Sequence, residues 1–233
     1  MVLELFTSQG CSSCPPADRL LSRLGRADDG REVKLVPLAF HVDYWDYIGW
    51  TDPFSSADWS KRQQRYGSRF GLRTIYTPQL VINGSSECVG SDEEAVREKI
   101  AEARRRKASS RIEVRLKPTS GTDRLELEVS ARIPAAATLE GVDAWVAVFE
   151  NALTTPVSRG ENADRTLRND FVVRRREHAF SLPPEGAHRT THSLTIALDP
   201  SWKPRNLGVA AFLQEPRSFR IHDATVAYLS ELL

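Results

Sequence analysis

The sequence predicts an α/β (α+β) domain followed by an all-β antiparallel sandwich domain, and three observations carry the prediction. Up to about residue 108, short apolar runs alternate with stretches of helical periodicity. Beyond it the apolar residues recur at every second position, as in strands with one buried face. At 233 residues the chain also exceeds the usual size of one domain. The expected division is 1–108 and 109–233, with the boundary near Ser109.

The apolar run Val2 to Phe6 opens the first domain as a strand. Pro15 to Leu24 follows as a helix, because Ala17, Leu20, Leu21 and Leu24 fall on one face, and Gly25 stands where a helix-ending glycine belongs. VKLVPLAF (33–40) predicts a buried strand, and an aromatic-rich connection leads to a helix from about Ser56. QLVI, the turn Asn83-Gly84 and Glu87 to Val89 predict a hairpin. SDEEAVREKIAEARRRK, with Ser91 as its cap, acids in the first turn and bases in the last, predicts the final helix. In the second domain, alternation at Ile112 to Lys117 and Leu125 to Ser130, joined by TSGTD, predicts two strands. VDAWVAVFE, DFVVRRR, HSLTIALD and LGVAAFLQE predict four more.

Lys plus Arg and Asp plus Glu nearly cancel, giving a formal charge of +1, and neither half is strongly basic. That argues against nucleic acid as a partner. No apolar stretch is long enough for a membrane-spanning helix. MVLELFTSQG lacks the features of a signal peptide, which predicts a cytoplasmic protein or a periplasmic or secreted one whose leader is absent from this chain.

Two of the three cysteines lie in GCSSCPPAD, residues 10–18. A strand, then C-x-x-C, then a helix places thiols where unpaired backbone N–H groups stabilise a thiolate. Cys11 falls just before the helix and Cys14 in its first turn, where Pro15 and Pro16 are tolerated. A redox dithiol is the expected use, against the alternatives of a plain disulfide or buried thiols. A zinc site lacks a second ligand pair, and Cys88 in ECVG is expected in the core. Between His41 and Trp50, Tyr44, Trp45, Tyr47 and Trp50 cluster beside Asp43 and Asp46. The rings are expected to pack the domain core or the seam between domains, the alternative being an aromatic wall near the dithiol, and the two acids are candidate proton relays. Cys11, Cys14 and His41 together would suit copper(I) or zinc. RGENADRTL (159–167) is expected to be a salt-bridged loop.

The combination ELFTSQGCSSCPPAD, FHVDYWDYIGW, YTPQLVING and RGENADRTL resembles an uncharacterised bacterial domain-of-unknown-function family of the thioredoxin-like superfamily, often predicted to be exported. The resemblance covers nearly the whole chain and implies a thioredoxin-like domain carrying the β-sandwich. It implies Cys11 as the attacking thiol, Cys14 as the resolving thiol, and Thr77-Pro78 as a cis-proline site that aligns a substrate backbone. The interval from Pro78 to Asn83-Gly84 is similar to that of periplasmic disulfide oxidases, whereas Thr77 is similar to reductases and isomerases. Gly10 stands where thioredoxin has tryptophan, and Ser12-Ser13 separate the cysteines. The expected activity is thiol–disulfide exchange with a protein or small-molecule thiol or disulfide and an unidentified redox partner, without an organic cofactor. The alternative is a redox-inert or copper- or zinc-binding module.

Overall fold

The computed structural model of the chain describes residues 1–27, 34–106, 110–119, 123–135, 139–184 and 186–232. Part of the TSGTD turn and the boundary at Ser109 lie outside the described residues. In chain order the first elements are β1 (Val2–Thr7), α1 (Pro15–Arg26), β2 (Val36–His41), α2 (Ala57–Phe70), β3 (Gln79–Ile82), β4 (Ser86–Val89) and α3 (Glu93–Arg104). Then come β5 (Arg111–Lys117), β6 (Arg124–Ile133), β7 (Val142–Glu150), β8 (Leu153–Val157) and β9 (Arg165–Asn169). The last are β10 (Val172–Leu182), β11 (His188–Ala197), β12 (Leu207–Gln214) and β13 (Ile221–Tyr228).

The chain divides into two compact units that are not consecutive: Met1–Arg106 with Ala152–Val173, and Lys107–Asn151 with Arg174–Leu233. In the first unit β1 pairs in parallel with β2 and antiparallel with β3, and β3 pairs with β4. Val172, at the start of β10, lies beside Ala39 of β2. Every residue of β1 is buried, as a central strand covered on both faces requires. Glu4 in its middle is satisfied by Arg62 of α2 at 2.7 Å and by the Tyr66 hydroxyl, so the buried charge is paired and hydrogen-bonded. The face of α1 bearing Ala17, Leu20, Leu21 and Leu24 packs with Leu3, Leu5, Leu80, Val96 and Ile100. β8 and β9 form a hairpin, held to α1 where Arg26 donates to both Asp170 oxygens at 2.8 and 2.7 Å.

Two local expectations change. Asp92, not Ser91, caps α3, its carboxylate accepting from Ala95 N at 3.0 Å. Gly25 does not end α1, which continues to Arg26; instead a Cβ at Gly25 would lie 2.5 Å from both the Phe171 ring and Pro37. The glycine is there for close approach. Gly25→Ala is therefore expected to destabilise the protein by about 1–3 kcal/mol through overpacking, measured as a lower urea midpoint with unchanged slope.

In the second unit β12 lies between β13 and β7, and β6 lies between β11 and β5. Its core gathers Leu125, Leu127, Val129, Val146, Val148, Val209 and Leu213, the inward-facing alternates of both sets of strands.

The expected thioredoxin-like domain followed by a separate sandwich is not what the chain forms. Strands predominate over helices, arranged as a large mixed sheet with two small ones, and Ala152–Val173 returns to the first unit. The alternation of apolar residues disclosed the later strands but not which earlier strand each would join.

Candidate functional site

The loop after β1 is fixed by its own backbone. Gly10 N donates to Ser8 Oγ at 3.0 Å, and Cys11 N to the Ser8 carbonyl at 3.2 Å. Cys14 caps α1, its carbonyl accepting from Ala17 N at 2.9 Å and Asp18 N at 3.1 Å, with prolines at the first helical positions. Cys11 and Cys14 form a disulfide with their Cα atoms 5.5 Å apart. Both are 0% exposed, whereas the intervening Ser12 and Ser13 face solvent. The Cys11 sulfur has no proton to donate in this state, so the Ser13 hydroxyl at 3.3 Å is the donor.

The polar groups around this pair are unusual for a buried site. Asp18, one turn beyond Cys14, accepts from Thr7 Oγ1 at 2.9 Å. Burial pushes its carboxyl up to about 6, against the opposing influence of His41 and the Thr7 hydrogen bond. His41, at the end of β2, places Nδ1 2.7 Å from Asp52 Oδ2, and both side chains are fully enclosed. Although burial opposes ionisation, His41 and the N–H groups of Gln9 and Phe54 hold Asp52 below the usual carboxylate range. Gln9 gathers the surrounding segments: its backbone donates to Asp52 at 2.8 Å, and its amide donates to Thr155 and Asn169, each at 3.0 Å.

Trp45 and Thr77 close one side. Trp45 Nε1 donates to Thr77 Oγ1 at 2.7 Å, and the Thr77 carbonyl lies 3.9 Å from Cys11 Sγ. The Thr77-Pro78 bond is cis. A Cβ at Gly10 would stand 3.2 Å from Trp45 Cβ and 3.3 Å from the Trp45 carbonyl oxygen, so a larger residue before the first cysteine would press on Trp45. Tyr44 donates to Gln63 at 3.0 Å, and Trp50 donates to Gln9 at 3.3 Å, while Tyr47 is exposed. Asp43 accepts from Ser60 Oγ at 2.5 Å; Asp46 accepts from Asp52 N at 3.1 Å and Ser55 Oγ at 2.8 Å. Both carboxylates thus brace the loop. Cys88 stands apart on β4, half-buried, its thiol pushed up to about 11 by burial and Glu87. Among the described residues no three His, Cys, Asp or Glu side chains are grouped to hold a metal ion.

The segment RGENADRTL supplies residues that the sequence did not reveal as part of the site. Asn162, fully buried, donates to the carbonyls of Gln9 at 2.9 Å and Cys11 at 3.0 Å. Glu161 accepts from Ser12 N at 3.0 Å, and hydrogen bonding from Ser12 holds its carboxyl below the usual range. Gly160, at a φ of +78°, packs on Trp50. The loop is a clamp on the backbone of the C-x-x-C turn. Asn162→Ala would take this donor from the buried Gln9 carbonyl and leave the Cys11 carbonyl with Cys14 N alone, which costs about 1–3 kcal/mol. The expected result is a lower melting temperature together with faster reduction of the disulfide by a phosphine reductant, followed by alkylation.

Solved structures with this architecture exist. Protein AGR_C_4864 from Agrobacterium tumefaciens is similar over 99% of this chain and 94% of its own, at 28% identity and a TM-score of 0.73. HBP35 of Porphyromonas gingivalis is similar over 99% of this chain and 75% of its own, at 16% identity and a TM-score of 0.67, a likeness of fold alone. No curated protein matches. Residues 2–214, which hold every side chain described at this site, match the family of proteins of unknown function DUF1223, and the chain belongs to that family.

Proposed function

We propose that the protein carries out thiol–disulfide exchange through the Cys11–Cys14 pair. The observation that carries the reading is the pairing itself: two cysteines bonded across the start of α1, where helix N–H groups favour a thiolate. In the reducing direction the Cys11 thiolate attacks a substrate disulfide, forming a mixed disulfide and releasing one substrate thiolate, which takes a proton. The Cys14 thiolate then attacks Cys11 Sγ, freeing the second substrate thiol and restoring the Cys11–Cys14 bond. A dithiol reductant returns the pair to its starting state, and oxidation is the reverse sequence. Thr77 and Pro78, beside Cys11, would align the substrate backbone. Asp18, buried one turn from Cys14 with its carboxyl raised to about 6, would accept the Cys14 proton.

The test is dithiothreitol-dependent reduction of insulin by the wild type and by Cys11→Ser, with copper and zinc measured in the purified protein. Turnover that depends on Cys11 supports exchange. Stoichiometric metal without turnover would overturn it in favour of a metal-binding module.

A further inference from the structure

The second unit carries a charged depression whose residues the disulfide chemistry does not use. On the open face of the three-stranded sheet, Arg111 of β5 lies directly opposite Arg132 of β6, which in turn lies directly opposite Arg189 of β11. Three arginines therefore form one row across three strands, and all three are exposed. Strands in a sheet stand about 4.8 Å apart, so the row spans about 10 Å. Like charges directly opposite one another destabilise a sheet. The acids of the same face do not relieve the row. Glu128 pairs with Lys117 at 2.8 Å, and Glu113 lies 3.8 Å from Arg115. Among the described residues, none of the three row arginines has an ion pair. The row borders a cavity of about 340 Å³, lined also by Arg115, Glu113 and Glu128. That volume lies within the range of small-molecule sites.

We propose that this depression binds a multiply charged phosphate compound, a diphosphate group or its equivalent, across Arg111, Arg132 and Arg189. A guanidinium presents paired N–H donors suited to phosphate oxygens, and a diphosphate brings nearly as many negative charges as the row has positive ones. Binding would convert mutual repulsion into shared contacts, which explains a charge pattern that folding alone disfavours. The balanced charge of the whole chain conceals the site, whose two lining acids, Glu113 and Glu128, are each set against a different base, Arg115 and Lys117, and leave the row uncompensated.

The experiment is titration calorimetry of the full chain with inorganic pyrophosphate at low salt, repeated for Arg132→Gln and Arg189→Gln. Sedimentation is run in parallel with vesicles of phosphatidylcholine, with and without phosphatidic acid. The wild type is expected to bind, and each variant to lose about tenfold or more in affinity, the scale of one charge-assisted contact. Binding should also weaken as salt rises. Binding to pyrophosphate alone assigns a free ligand; arginine-dependent binding to the acidic vesicles assigns a phosphate headgroup. Absence of binding to both, or affinity unchanged in both variants, overturns the proposal. Because the variants sit on an exposed face, their melting temperatures without ligand should equal or exceed that of the wild type, so lost binding cannot be ascribed to unfolding.

Discussion

Cys11→Ser is expected to lower dithiol-dependent insulin reduction by about a thousandfold or more, the scale on which removing a covalent nucleophile acts. The effect should not come from instability. Closing a loop as short as Cys11 to Cys14 constrains the unfolded chain by only about 2 kcal/mol. The proper comparison is therefore with wild type already reduced by dithiothreitol, which has lost the same constraint. Cys14→Ser should behave differently. It retains the attacking thiol and lacks the one that resolves the intermediate, so mixed disulfides with substrate should accumulate and be visible as adducts by mass spectrometry. If the two variants were equally slow and neither formed adducts, the cysteines would be a structural bridge. If Cys11→Ser turned over at the wild-type rate, the nucleophile would be elsewhere.

What the sequence disclosed of this site depended on how local its causes were. GCSSCPPAD could be placed on a strand, a turn and a helix because the apolar periods on either side and the two prolines act over a few residues. Asp18 lies in that stretch, in the first turn of α1, and nothing in its neighbours along the chain sets it apart from other acids there. Its titration is shifted by burial in the folded protein, aided by Asp52 and opposed by His41 and the Thr7 hydrogen bond. Glu161 and Asn162 were further out of reach: their partners are backbone groups of Gln9, Cys11 and Ser12, some 149 to 153 positions earlier. A backbone carbonyl is the same at every position, so no pattern of side chains announces such a contact. The β8–β9 hairpin escaped for a related reason. LTTPV carries a proline and RTLRN is polar; they bury little beyond Val157, Leu167 and Asn169, and their strand form comes largely from pairing with each other.

Asp18→Asn is expected to stabilise the oxidised protein at pH 7.5 and to slow thiol exchange there, a combination that a purely structural acid would not give. Unfolded, this carboxyl titrates at 3.8; folded, burial raises it to about 6. Between those values the folded state binds more protons than the unfolded one, so stability falls as pH rises through the window and levels off above it. A shift of about 2 units corresponds to about 3 kcal/mol. Asparagine resembles the protonated acid in shape and can still accept from Thr7 Oγ1, but it never ionises. The gain at pH 7.5 should be about 1–3 kcal/mol, the lower end allowing for the amide group that must find its own acceptor. Urea unfolding at pH 7.5 and pH 4 checks the window, because near pH 4 the wild type is already protonated when folded and most of the difference should vanish. A variant stabilised equally at both pH values would show that ionisation of Asp18 is not the cause. A variant stabilised only at the higher pH, yet exchanging at the wild-type rate throughout, would remove Asp18 from the proton path while leaving its burial cost intact.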